Sequence, residues 1–80
     1  MTISQAVVKR ILDLCQEKNV TINKISTLSA VTQSTVNDIV SGKSKNTGII
    51  TIKKLCDGFG ITITEFFNTD YFISLDQEIF

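Results

Sequence analysis

Apolar residues recur along the chain at helical spacing, and small polar residues punctuate the recurrences. Val7, Ile11, Leu14 and Cys15 stand at i, i+4, i+7 and i+8 and predict a first helix over about Ser4 to Lys18. Val8 and Leu12 widen that face, and Ser4 is the expected N-cap. After the break at "NVT", Thr21 is placed to cap a short second helix, Ile22 to Ser29, that buries Ile22, Ile25 and Leu28. Ala30 and Val31 make a tight connection. Thr32 caps a third helix from Gln33 to Ser41, which Gly42 ends. "GKSKNTGII" reads as a polar loop. Thr51 is the expected cap of a fourth helix, with Ile52, Leu55, Cys56 and Phe59 at i, i+3, i+4 and i+7 and Gly60 as its stop. Thr62 caps a short fifth helix around Ile63 to Phe67, and the tail "NTDYFISLDQEIF" has room for one more helical turn. Ile, Val and Thr are abundant, and "GITIT" alternates as a strand would. The agreement of five caps and stops with five apolar stripes favours helices.

Eighty residues make one small domain whose single core has limited stability, so short-range helix docking or a dimer is expected. No stretch approaches the ~18 uninterrupted apolar residues of a membrane span. "MTISQAVVKR" lacks the basic segment and apolar run of a secretory signal, so a cytoplasmic location is expected. The two cysteines, Cys15 and Cys56, form no CxxC pair, and the chain has no His. Both sit among apolar residues at helical spacing and read as buried reduced thiols, with a redox or disulfide role as the minor alternative. No metal site, no cofactor and no catalysis are expected. There is no nucleophile–base pair, no carboxylate pair with a reason to meet, and no glycine-rich phosphate loop.

The chain has no net charge, but its charges are not mixed. Residues 1–54 hold all eight basic residues and three acidic ones, a net of +5; residues 55–80 hold five acidic residues and no basic one, a net of −5. The positive part is the electrostatic footprint that a polyanion binder needs, and the acidic part is expected to point away from it.

The third helix carries an unusual outer face. At 100° per residue, Val36, Ile39 and Val40 cluster toward the core, while Ser34, Asn37, Asp38 and Ser41 lie opposite, with Gln33 at the exposed start. No long charged side chain stands there. Short amides and hydroxyls are poor helix formers, so their presence points to another use. Gln and Asn can bond an adenine edge through two atoms, and Ser and Thr can bond bases or phosphates. The alternative is a merely polar surface. Lys43 and Lys45, beside Ser44 and Asn46, follow in the loop; Lys43 also suits a helix C-terminus on dipole grounds alone.

"TINKISTLSAVTQSTVNDIVSGKSKN" followed by "TIKKLCDGFGITITEFF" resembles the Cro/CI-like (XRE-type) helix-turn-helix family over about Val7 to Phe67. The resemblance implies an all-α, compact five-helix, lambda-repressor-like helix-turn-helix domain over residues 1–69. Residues 70–80 then form a short C-terminal extension, either a dimer contact or a tail folded back on its own domain. It further implies binding to double-stranded DNA as a homodimer, with the third helix in the major groove. Carried over position by position, Gln33, Ser34 and Asn37 face base edges, and Asp38 accepts from a cytosine amine or repels DNA. Thr32 and Thr35 contact phosphates or cap, Thr21 with the free amides of the second helix holds another phosphate, and Lys43, Lys45 and Asn46 grip the backbone. The chain departs from the family at several places. Ala30 stands where the turn often has Gly, Ile22 where many relatives have a supporting Gln, and Cys15 and Val40 where relatives often pair Arg with Glu. In the loop Gly48 stands in place of the frequent Pro.

The tail is dense in apolar residues. Phe66 is the best candidate to close the core, and Tyr71, Phe72 or Phe80 are candidates for a dimer patch. Two functions follow. The first is a small DNA-binding transcriptional regulator, expected to be a repressor acting at a palindromic operator without a small-molecule ligand. The second is a protein-interaction or antitoxin-like module using the acidic, aromatic C-terminal surface. Only the first needs Gln33, Asn37 and Lys45.

Overall fold

The computed structural model describes residues 1–79. Phe80, one of the dimer-patch candidates, lies outside the described residues. Five α-helices follow one another: α1 (Ile3–Glu17), α2 (Ile22–Ser29), α3 (Gln33–Val40), α4 (Ile49–Phe59) and α5 (Ile63–Phe67), with a 3-10 turn at Asp70–Phe72. No strand occurs among the described residues, and "GITIT" enters α5 through its Thr62 cap. The all-α expectation is borne out.

Two helix starts differ from expectation. Thr2, not Ser4, caps α1: its hydroxyl accepts from Gln5 N at 3.2 Å while Gln5 Oε1 accepts from Thr2 N at 2.9 Å. Thr2 with Gln5 three residues on is a capping box, which satisfies two free donors where Ser4 would satisfy one. Helix α4 begins at Ile49 with Gly48 as N-cap and no side-chain cap bond, so Thr51 sits inside the first turn. The buried stripe starts only at Ile52, and the preceding Ile49 and Ile50 are 61% and 68% exposed. Burial periodicity therefore carries no sign of the extra turn.

Three helices end in the same way. Asn19, Ala30 and Gly60 all adopt positive φ, at 55°, 54° and 75°. At each, the helix-ending amide returns to the carbonyl three residues back and the next amide to the carbonyl five residues before it: Asn19→Gln16 with Val20→Cys15, Ala30→Thr27 with Val31→Ser26, Gly60→Asp57 with Ile61→Cys56. This is the Schellman arrangement, and the apolar residue that completes it (Val20, Val31, Ile61) packs against the core each time. Ala30 thus takes the left-handed conformation that Gly would take more easily, at a cost of about 1–2 kcal/mol. The α2–α3 turn keeps its geometry despite the departure in sequence.

The core gathers Ile11 and Leu14 from α1, Ile25 from α2, Val36 and Ile39 from α3, Leu55 and Cys56 from α4, and Phe66 from α5. Phe66 is fully buried as expected, with Phe67 and Phe72 set against it and against each other edge-on or tilted. Cys15 and Cys56 are free and buried. Helix α2 corrects the expected stripe: Leu28 is 50% exposed, whereas Ser26 and Ser29 are buried. The cause is the close approach of α4, where a Cβ on Gly58 would stand 2.0 Å from Ser29 Oγ. A Leu side chain does not fit at such a contact. Ser26 Oγ donates to Ile22 O at 2.8 Å, while Ser29 Oγ has no partner.

Beyond α5 the chain turns back across α1. Tyr71 Oη donates to Asp13 Oδ2 at 3.2 Å, Asp76 N donates to Met1 O at 3.0 Å, and Ile3 N donates to Glu78 Oε1 at 3.3 Å. No helix among the described residues is long and apolar enough to cross a membrane.

Candidate nucleic-acid interface

Helices α2 and α3 end their approach to each other at Ala30, so both N-termini are set by threonine caps. Thr21 Oγ1 accepts from Lys24 N at 3.0 Å, and Thr32 Oγ1 accepts from Thr35 N at 3.2 Å. A cap of this kind leaves the first two amides of each helix, Ile22 and Asn23 in α2 and Gln33 and Ser34 in α3, without an acceptor inside the helix. Thr32 and Thr35 also join hydroxyl to hydroxyl at 2.7 Å. One of those two protons serves the pair and the other stays free to donate outward.

On α3, Val36 and Ile39 are buried and Val40 packs against the core. Gln33, Ser34, Thr35 and Asn37 are exposed, and Asp38 is half-buried. Asp38 has a second part to play through its backbone: its carbonyl accepts from Ser44 N at 2.9 Å and from Ser41 Oγ at 3.2 Å. Those bonds, with Gly42 at φ 83°, fold the loop back on the last turn of α3. Lys43, Lys45 and Asn46 emerge exposed from that folded loop.

The loop does not stand free. Lys45 and Ser44 line a groove of about 580 Å³ whose far wall is the first turn of α1, including Thr2, Ser4 and Gln5. Lys45 and Asn46 also border a cavity of about 200 Å³ floored by Val7, Ile52 and Phe67. Glu78 lines the larger groove as well. The acidic part is expected to point away from a bound polyanion, and one of its carboxylates shares a groove with Lys45. The tail folds across α1, which brings residue 78 to a loop more than thirty positions earlier. No local pattern in the sequence announces that neighbour.

The basic half is also smaller in effect than its count. Arg10 donates through Nε to Phe66 O at 2.6 Å and through a terminal nitrogen to Glu65 O at 2.8 Å, so it fastens the C-terminus of α5. Lys9 pairs with Asp13 and lies over the Tyr71 ring, and Lys53 pairs with Asp57. Among the described residues, Lys18, Lys24, Lys43, Lys45 and Lys54 take part in no ion pair. Arg10 was legible only as a cation between the buried positions Val7 and Ile11, which is where a side chain that serves the fold would stand. No group of three metal-ligating side chains occurs among the described residues. Burial raises the thiol pKa of Cys15 and Cys56, as expected of thiols held in a core.

Two short helices at a tight turn, the second presenting a face of short polar side chains beside a basic loop, define a helix-turn-helix protein. Residues 3–70 match the sequence profile of the Cro/C1-type HTH DNA-binding domain, and the chain belongs to that family. Its five-helix architecture is also similar to a solved structure described as that of the prophage Lp1 protein 11. The TM-score is 0.81 and the identity 35%, over 94% of this chain and 99% of that one. No curated protein matches the chain. The protein thus carries a DNA-binding domain, which the charge total alone did not suggest.

Proposed function

We propose that this protein is a small transcriptional regulator, a repressor that occupies a palindromic operator in double-stranded DNA with α3 in the major groove. The observation that carries this reading is the outer face of α3: Gln33, Ser34 and Asn37 are exposed together, without a long charged side chain among them. In this reading Gln33 and Asn37 bond base edges, Ser34 bonds a base or adjacent sugar, and Asp38 accepts from a cytosine amine or excludes sites that lack one. Thr21 with the first amides of α2, Thr32 with Thr35 at the start of α3, and Lys43, Lys45 and Asn46 beyond its end hold phosphates.

The protein acts as a homodimer, with two copies of α3 about 34 Å apart on one face of the duplex. Besides the tail, where Ile73 and Ile79 are exposed, a dimer patch is supported at the start of α4. Ile49 and Ile50 stand exposed side by side there, whereas Phe72 packs on the core and Tyr71 is held by Asp13.

Selection of duplexes from a random pool by the purified protein, with its mass measured in solution, tests both parts. The expected outcome is an enriched inverted repeat bound by a dimer. Asn37→Ala should then lose discrimination at one base pair per half-site, by about 1–3 kcal/mol. Lys45→Ala should weaken every sequence alike and reduce the salt slope by about one phosphate contact. No enrichment at low salt would reject the proposal in favour of the interaction module.

A further inference from the structure

The C-terminal tail places a carboxylate where the basic loop would meet a phosphate. Glu78 Oε1 accepts from Ile3 N, the first amide of α1, at 3.3 Å. The same side chain lines the groove of about 580 Å³ that Lys45, Ser44 and Gly42 line from the other side. The tail is held there a second time by the bond from Asp76 N to Met1 O at 3.0 Å. Glu78 thus takes a helix-start amide and shares its groove with a lysine and with the hydroxyl residues Thr2, Ser4 and Ser44, groups a phosphate oxygen would seek. Lys45 forms no ion pair among the described residues, so no contact consumes its charge.

We infer that Glu78 is an internal competitor for DNA phosphate, an autoinhibitory contact that weakens the grip of Lys45 and makes the tail a control point on DNA affinity. The inference rests on the DNA-binding reading of the loop given above. A phosphate entering beside Lys45 meets a fixed negative charge in the same groove. Either the tail detaches, breaking the Asp76–Met1 backbone bond and the bond from Ile3 N to the Glu78 carboxylate, or the phosphate is bound against repulsion. Both lower the affinity for every sequence, because neither involves a base. The effect is bounded by the exposure of both side chains to solvent, which limits an individual charge interaction, and it fades with salt.

Glu78→Gln keeps the side-chain shape and the acceptor for Ile3 N and removes only the charge. It should tighten binding to any duplex by about two- to five-fold at low ionic strength, the range an exposed charge pair supports. The gain should shrink toward 0.3 M salt. Asp70→Asn removes the same charge from the 3-10 turn, away from the groove, and should change affinity less than half as much. In a Lys45→Ala background the Glu78→Gln gain should vanish. Equal gains from Glu78→Gln and Asp70→Asn would reduce the effect to net charge and overturn the inference, as would a gain that survives the loss of Lys45.

A DNA-independent measurement keeps the two readings apart. With tripolyphosphate as the probe, the amide resonances of Ile3 and Lys45 should move at lower concentration in Glu78→Gln than in the parent protein. Equal titrations in both proteins would refute the competition. A parent protein that binds no duplex, yet shows the earlier titration in Glu78→Gln, would instead reject the DNA reading and leave the anion competition standing.

Discussion

Gly58 of α4 lies directly against Ser29 of α2, with no room between them for a side chain. Gly58→Ala puts two opposing effects in competition. At the next-to-last residue of α4, Ala is favoured over Gly by at most about 0.8–1 kcal/mol of helix propensity. Against that, the added Cβ would stand 2.0 Å from Ser29 Oγ and 3.1 Å from both Ser29 Cβ and Ser29 N. Rotation of the Ser29 hydroxyl removes the first contact but not the other two, which yield only if the helices separate. Overpacking of a core by one methyl group costs about 1–3 kcal/mol, so the net expectation is a loss of up to about 2 kcal/mol. With a urea m-value of about 1 kcal/mol/M for a chain this small, the unfolding midpoint should fall by up to about 2 M. Ser29→Ala supplies the control. Ser29 Oγ is buried without a partner, so its removal should be neutral or stabilising by up to about 1 kcal/mol. In that background the nearest contact to the new Cβ relaxes to 3.1 Å, and Gly58→Ala should cost less by about 1 kcal/mol. Urea unfolding of the four proteins measures the cycle. A Gly58→Ala protein as stable as its parent in both backgrounds would refute the argument, because helix propensity would then outweigh the contact.

Two other expectations follow from the core and its fastenings. Arg10→Met keeps the apolar stem but loses the two charge-assisted bonds to the last carbonyls of α5; it should lower stability by about 1–2 kcal/mol and leave the DNA affinity of the folded protein within two-fold. A flattened salt slope in a binding titration would instead put Arg10 on the DNA. Burial raises the thiol pKa of Cys15 and Cys56 in the folded chain, so above the unfolded value near 8.5 the unfolded state releases protons that the folded state keeps. Stability should therefore fall as pH rises past about 8.5 and hold level below it. Unfolding curves at pH 7 and 9.5 test the sign, and prompt reaction of either thiol with a disulfide reagent under native conditions would contradict its burial.

Much of the fold was legible because it is built from local rules. The caps Thr21, Thr32 and Thr62 and the stops Gly42 and Gly60 act within one turn, and buried stripes such as Val7, Ile11 and Leu14 recur within one helix. The places where local reading erred are places where the deciding partner is distant. Leu28 lost its expected burial to Ser29 because α4 comes too close at Gly58 for a large side chain. The first turn of α4 escaped notice because Ile49 and Ile50 stay mostly exposed and add nothing to the buried stripe.

The candidate interface divides along the same line. The polar face of α3, the lysines after it and the +5 and −5 division of charge belong to the sequence itself, since a helix wheel and a count need no neighbours. Only tertiary structure decided which charges are available. Arg10 is taken by α5, Lys9 and Lys53 by carboxylates one turn away, and Lys45 faces Glu78 across a groove. Periodicity determines which side of a helix is wet. What a wet side chain meets depends on where distant segments dock, and that is set by the packing of the whole core.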